Sequence, residues 1–199
     1  KGYDAEATVS PLGDRIVFTS ARDGDLDIYS MKVDGSDVKR LTDTPGYDGG
    51  AFYSWDGKKI VYRAHHPTSP EEVGTFKKLL ERGVVKPTQM ELWVMDADGK
   101  NQKRLTSFGA ASFAPFFHPD NKRIAFVSNF QDPARRNFEI YIINLNGTGL
   151  ERVTYNPTFD GFPMFDKTGT KLVFASNRAN GEPRETNIFL AEWRDKTKK

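Results

Sequence analysis

Apolar residues fall in short runs along this chain, and turns rich in Gly, Asp, Asn and Pro separate them. "RIVFTS" (Arg15 to Ser20), "DIYSM" (Asp27 to Met31), "KIVYRA" (Lys59 to Ala64) and "ELWVM" (Glu91 to Met95) are examples, flanked by turns such as "SPLGD" and "DGS". Runs of this length, rich in β-branched and aromatic residues, predict strands joined in antiparallel hairpins. One stretch keeps a different period. In "SPEEVGTFKKLLERGVV", Val73, Phe76, Leu80 and Val84 share one helical face, with Lys77, Lys78, Glu81 and Arg82 turned away. Ser69 as N-cap, Pro70 at the first helical position and Glu72 three residues after the cap form a capping box, and Gly83 offers the stop. A short amphipathic helix is therefore expected inside an otherwise all-β chain.

The strand pattern recurs. Four segments open at Tyr3-Asp4, Tyr47-Asp48, Ala111-Ser112 and Phe159-Asp160, spaced by 44, 64 and 48 residues. Each continues with an apolar run, a turn ("SPLGD", "SWDGK", "HPDNK", "DKTGT"), a second strand ("RIVFTS", "KIVYRA", "RIAFVS", "KLVFAS") and a variable loop. A third strand follows ("DIYSM", "ELWVM", "EIYII", "NIFLA"), and the first three copies close on "KRLT", "KRLT" and "ERVT". Four short strands per unit, repeated at about 40 to 50 residues, predict the blades of a β-propeller. A β-sandwich also has many short strands but gives no reason for them to recur in register. The predicted repeats are 3–46, 47–110 with a helical insertion at 65–90, 111–158 and 159–199, all in a single propeller domain or segment. The fourth copy ends after "TNIFLAEW" without an "RLT" strand, so its blade is expected to lack an outer strand. An unpaired edge of that kind invites self-association.

Composition narrows the functional classes. The 199 residues are 37% hydrophobic and 13% aromatic, enough for a packed core. Lys and Arg number 29 against 27 Asp and Glu, spread along the chain, so nucleic acid is not an expected partner. The basic end "RDKTKK" reads as a solvated terminus. There is no cysteine, which excludes disulfides, thiolate catalysis and Cys-type zinc sites. No apolar run approaches the roughly 20 residues of a membrane span. No G-x-S-x-G, H-E-x-x-H, P-loop or G-x-G-x-x-G motif occurs, so neither a catalytic constellation nor a cofactor is expected.

The succession of "SWDGK", "KIVYRA", "ELWVM", "DGK" and "KRLT" resembles the TolB-like, WD40-like PD40 repeats of bacterial exported β-propeller proteins. The resemblance covers nearly all of the chain and is specific for fold. For function it spans periplasmic scaffolds, propellers attached to peptidases and other exported proteins. It implies a periplasmic or extracellular location. Similar proteins carry about six blades and close the ring with an outer strand from the N-terminus, so the resemblance implies either that this chain forms the C-terminal part of such a ring or that it is a short form that closes in another way.

Meander topology places the loops between second and third strands on the same face as those leading into the next blade. That face collects the insertion, then Asp4, Asp48 and Asp160 near the central channel, Glu6 deeper, and Arg22, His65, His66 and Arg178 from the ends of the second strands. Ser112 replaces the aspartate in the third copy. An aspartate opening each inner strand can accept hydrogen bonds within its own turn. Alternatively, the carboxylates of Asp4, Asp48 and Asp160 converge to hold a cation such as Ca2+ or to attract a basic or polyol ligand. His65 and His66, adjacent on a strand, point to opposite faces and do not chelate one metal, while His118 sits in a turn on the other face. "DGDLD" (Asp23 to Asp27) lacks the spacing of a calcium loop and reads as a hairpin turn. Asp27, Glu91, Glu139 and Asn187 read as exposed residues that begin each third strand. The expected function is a non-catalytic scaffold that presents this face to a protein, peptide or glycan. One alternative, taken from similar propellers, is a metal-assisted enzyme in which His65 or His66 with Arg22, Arg63 and Arg178 holds an acidic oligosaccharide. Another is a purely structural repeat segment of a larger exported protein.

Overall fold

A computed structural model describes residues 3–86, 89–178, 181 and 185–195. Residues 87–88 of the insertion and 196–199 of the basic terminus lie outside them. The first sheet contains β1 (Asp4–Val9), β2 (Arg15–Ser20), β3 (Asp27–Lys32) and β4 (Lys39–Arg40). The second contains β5 (Tyr47–Tyr53), β6 (Lys59–His65), β7 (Glu91–Asp96) and β8 (Lys103–Arg104), with α1 (Pro70–Glu81) between β6 and β7. The third contains β9 (Ser112–Phe117), β10 (Arg123–Ser128), β11 (Glu139–Asn144) and β12 (Glu151–Arg152). Among the described residues the fourth has β13 (Asp160–Phe165), β14 (Lys171–Ser176) and β15 (Asn187–Glu192) and no fourth strand. Strand order within every sheet follows the chain, and all pairings within the sheets are antiparallel. These are the four propeller blades that the repeat predicts, each packed on the next along the chain, with the last blade one strand short among the described residues.

The core lies in the seams between blades. Val17 and Ile28 of the first sheet pack on Tyr53, Ile60, Tyr62 and Met95 of the second. Val61 and Leu92 meet Phe117, Ile124 and Phe126 of the third, and Val127 and Ile140 meet Phe165, Leu172 and Phe174 of the fourth. Equivalent positions thus do equivalent work in each copy. Ile28, Leu92 and Ile140 are fully buried, whereas Ile188, at the same place in the fourth sheet, is 75% exposed and Leu190 67%. Any association through the last blade would therefore have an apolar face available as well as a free edge.

Each inner strand carries a bulge. Glu6, Gly50, Ala114 and Phe162 occupy matching positions with φ between 49° and 60°, where the ladder to the second strand slips in register. The extra residue twists the strand and re-aims its side chains. At Gly50 a Cβ would stand 2.3 Å from the Arg63 guanidinium, so a side chain there would displace Arg63 from its place beside Glu6.

The residues that open the third strands are not exposed, contrary to expectation. Asp27, Glu91 and Glu139 are at most 5% accessible, and a recurring network satisfies them. The threonine of each "R-x-T" strand donates its hydroxyl to the carboxylate, at 3.2 Å for Thr42, 2.6 Å for Thr106 and 2.5 Å for Thr154. The same oxygen accepts the backbone N–H of Ile28, Leu92 or Ile140 at 2.9 Å. The arginine of that strand reaches the carboxylate as well, at 2.6 Å for Arg40, 3.2 Å for Arg104 and 2.8 Å for Arg152, and its Nε donates to the threonine carbonyl. A buried carboxylate with both kinds of donor is tolerable where an isolated one is not. In the fourth sheet, which has no "R-x-T" strand among the described residues, the neutral amide of Asn187 stands in the acid's place.

Two outcomes test this network. Thr106→Val leaves the Glu91 carboxylate and the Leu92 N–H each short of a partner, and should cost about 2 to 3 kcal/mol in urea unfolding. Burial, against the pull of Arg40, raises the Asp27 carboxyl from 3.8 to about 6. A folded-state pKa above the unfolded one gives stability that is full below about 3.8 and is lost as pH rises through about 6. The fall in the urea midpoint between pH 4 and pH 7 should therefore be shallower in Asp27→Asn than in the parent.

Candidate functional site

The insertion folds as its sequence predicts. Ser69 accepts the Glu72 N–H at 3.2 Å, and the Glu72 carboxylate accepts the Ser69 N–H at 3.1 Å, which completes the capping box. At the other end, Gly83 takes φ +69° and donates to Leu80, while the Val84 N–H reaches the Leu79 carbonyl. Those two bonds form a Schellman stop. The helix is held to the loop face by Phe76, which packs with Leu26, Tyr47 and Met90. Between the helix and the β2–β3 loop lies an open cleft of about 790 Å³, with Leu26 and Tyr47 on the blade side, Leu80, Val84 and Val85 on the insertion side, and Tyr3 also lining it.

The strand-opening carboxylates are spent within their own blades. Asp160 accepts from Arg178 and, at 2.5 Å, from the Ser176 hydroxyl, and Arg178 also donates to Ser176 at 2.9 Å. Asp4 repeats the arrangement with Ser20 and Arg22, and those hydrogen bonds hold its carboxyl below its usual range. Both guanidiniums lie over aromatic rings of their blade: Arg22 over Phe18 and Tyr29, Arg178 over Phe174 and Phe189, all within 5.6 Å. In the third copy the pair becomes Ser112 and Ser128, 3.0 Å apart, and Phe130 takes the place of the arginine against Tyr141.

The second copy departs from this plan. Asp48 lies opposite Ala64, where its counterparts face a serine, so no hydroxyl is supplied. His66 Nε2 meets one oxygen of Asp48 at 2.9 Å and its ring rests 5.0 Å from Trp93, but the other oxygen, Oδ2, is buried without a partner. The nearby Thr42 hydroxyl already donates to Asp27. Burial accordingly raises the Asp48 carboxyl above its usual range. Restoring the missing donor with Ala64→Ser should stabilise the protein by about 1 kcal/mol in equilibrium unfolding.

Glu6 is an inter-blade clasp. Its carboxylate accepts from Arg63, from the Gly50 N–H at 2.8 Å, from Tyr47 at 3.1 Å and from Thr19 at 3.3 Å, tying β1 to the second blade. His65 ends β6 opposite Tyr47 and does not join His66 in a common site. Among the described residues, no group of three or more His, Cys, Asp or Glu side chains is placed to hold a metal ion. Asp4, Asp48 and Asp160 therefore stand apart, each with its own basic partner, and Arg22, His66 and Arg178 are those partners. His118 sits in the β9–β10 turn, as expected, and is buried there against Phe165 and Trp193, where desolvation lowers its pKa. Sequence reasoning missed the cleft beside α1. Its signal was present in the apolar residues Leu80, Val84 and Val85 next to a glycine stop. No helix among the described residues is long and apolar enough to cross a membrane.

Comparison with known proteins agrees with the fold. The family description "TolB beta propeller domain" (PD40) matches residues 86–190. The chain is 25% identical over 155 residues to the Tol-Pal system protein TolB of Nitratidesulfovibrio vulgaris (strain Hildenborough), covering 78% of this chain and 29% of that protein. Among solved structures, TolB from Acinetobacter baumannii superposes with a TM-score of 0.74 at 17% identity, over 96% of this chain and 41% of the other. A putative TolB from Agrobacterium tumefaciens gives 0.70 at 23% identity, over 94% and 60%. The chain thus spans less than two thirds of the length of each relative, and at these identities the structural likeness speaks to fold alone. A family match over more than half of the chain, on a structure of four antiparallel blades, makes this protein a member of the TolB β-propeller (PD40) family.

Proposed function

We propose that this chain is a non-catalytic scaffold that offers its loop face to a protein, peptide or glycan partner, in the periplasm or outside the cell. One observation carries the reading: apart from one oxygen of Asp48, the charged side chains Asp4, Asp48 and Asp160 around the channel mouth are committed to Arg22, His66 and Arg178, while the insertion builds an apolar cleft of about 790 Å³ on the same face. A concave, largely apolar surface with few polar groups is the usual form of a ligand site. The relative named as a Tol-Pal system protein supports a part as one component of a larger system, and resemblance to exported TolB-like proteins supports the location. The test is to find binders on peptide and glycan arrays and to map them by hydrogen exchange. Protection is expected in the loops 21–26 and 66–86. Protection confined to the opposite turns, at 55–58, 97–100 and 119–122, would remove the loop face from consideration.

A further inference from the structure

The seam between the first and second blades departs from the other two at its loop end. In each seam the backbone N–H that opens the next inner strand crosses to the residue before the opener of the third strand: Asp48 to Leu26 at 2.8 Å, Ser112 to Met90 at 2.9 Å and Asp160 to Phe138 at 3.0 Å. That bond brings two strand openers together, and where both are acids they need separate donors. The second seam avoids the conflict, because its second opener is Ser112. The third resolves it: Asn137 donates to Glu139 at 3.2 Å and Asn156 to Asp160 at 3.1 Å, in addition to the hydroxyl and arginine bonds of each acid. The first seam has neither device. Asp27 and Asp48 are both fully buried, and the Thr42 hydroxyl beside them has a single proton to give. It stands 3.2 Å from Asp27, against 2.6 and 2.5 Å in the other two clamps, and Asp48 Oδ2 goes without a donor.

Charge at this spot is uneven. Asp25 of the β2–β3 loop acts on both buried acids as a third carboxylate, and Asp23 acts on Arg40. Against them stand Arg40 of β4, paired with Asp27, and His66 after β6, which serves the other oxygen of Asp48; Tyr62 of β6 also lies in the field of Asp48. Burial raises both the Asp27 and the Asp48 carboxyl. Two carboxyls that share a site do not both ionise readily, and a protonated one becomes a donor.

We propose that Asp27 and Asp48 hold one proton in common across the Thr42 hydroxyl, which makes the loop end of the first seam a latch that closes in acid and loosens when the proton leaves. With the proton present, one acid donates to Thr42 and Thr42 donates to the other, so every oxygen of the pair is served. Once it is lost to solvent, two carboxylates compete for one hydroxyl inside the seam. The raised carboxyls put the stability on the acid side: the latch holds fully below about 3.8, the ordinary aspartate value, and slackens as pH rises through about 6, where Asp27 titrates. Leu26 and Tyr47, bridged across this seam, line the cleft beside α1, so the latch governs its blade-side wall. That consequence rests on the scaffold reading, whereas the test of the latch uses no ligand and can fail while the scaffold stands.

The experiment measures amide exchange of the full chain by NMR at pH 4 and pH 7, corrected for intrinsic rates. Protection of the Asp48 amide should fall about tenfold between them, while the Ser112 and Asp160 amides, which make the same bond in the other seams, keep theirs. Ala64→Ser, which gives Asp48 a hydroxyl of its own, and Asp27→Asn should each remove most of that fall, and His66→Gln should retain it. Carboxyl-carbon titration reads the sharing directly: Asp27→Asn should lower the Asp48 midpoint. A fall that persists in Ala64→Ser, a fall that vanishes in His66→Gln, or an Asp48 midpoint unmoved by Asp27→Asn would overturn the shared proton. Equal falls at all three seams would overturn it too, as a loss of global stability.

Discussion

A buried carboxylate at the head of the third strand organises each complete blade. Asp27, Glu91 and Glu139 are sequestered from water, and ionised groups in that position are costly unless donors surround them. The donors arrive together on a strand of only two residues, too short to hold itself by ladder bonds. Its arginine and the threonine that follows convert a weak outer strand into a clamp. The threonine also takes the N–H of the very residue, Ile28, Leu92 or Ile140, whose side chain fills the seam to the next blade. Closure of one sheet and packing onto its neighbour therefore depend on the same hydroxyl.

The channel mouth follows a similar economy. A carboxylate, a serine and an arginine laid over two aromatic rings recur in the first and fourth blades, and each set is complete in itself. Glu6 departs from its own blade only to bind the second, through Arg63, Gly50 and Tyr47. These residues have few valences left for a ligand, because in a low-dielectric setting each finds its opposite charge nearby. The exception is Asp48, where alanine has replaced serine and one oxygen goes without a donor. The cleft beside α1 is unlike the mouth: its floor is the packing of Phe76 on Leu26 and Tyr47, and Tyr3 and Val84 on its walls stand open to water.

The fold was legible because a propeller repeats its local code. Turn residues, strand lengths and the "RLT" closure recur at fixed offsets, and the capping box and glycine stop of α1 are encoded within a few residues of each other. The candidate site was legible only in part. The sequence brought Asp4, Asp48, Asp160, Arg22, His66 and Arg178 to one face and left open whether the acids serve their own turns or converge on the channel, whereas the structure pairs each acid with the basic residue two positions past its cross-strand partner. That pairing depends on the register Asp4 to Ser20, Asp48 to Ala64 and Asp160 to Ser176, which a list of residues does not reveal.

What the sequence determined by itself was everything set by neighbours along the chain: strand and turn periodicity, the four repeats, the helix and both its ends. What only the tertiary structure decided was which polar groups lose water. Asp27, Glu91 and Glu139 read as exposed strand openers and proved buried, and Val84 read as part of a buried helix face and proved half open over a cleft. Burial is a property of the packed surface, and residues far apart in sequence create it together; the free energy of a charge or a methyl group follows from that surface and not from its place in the chain.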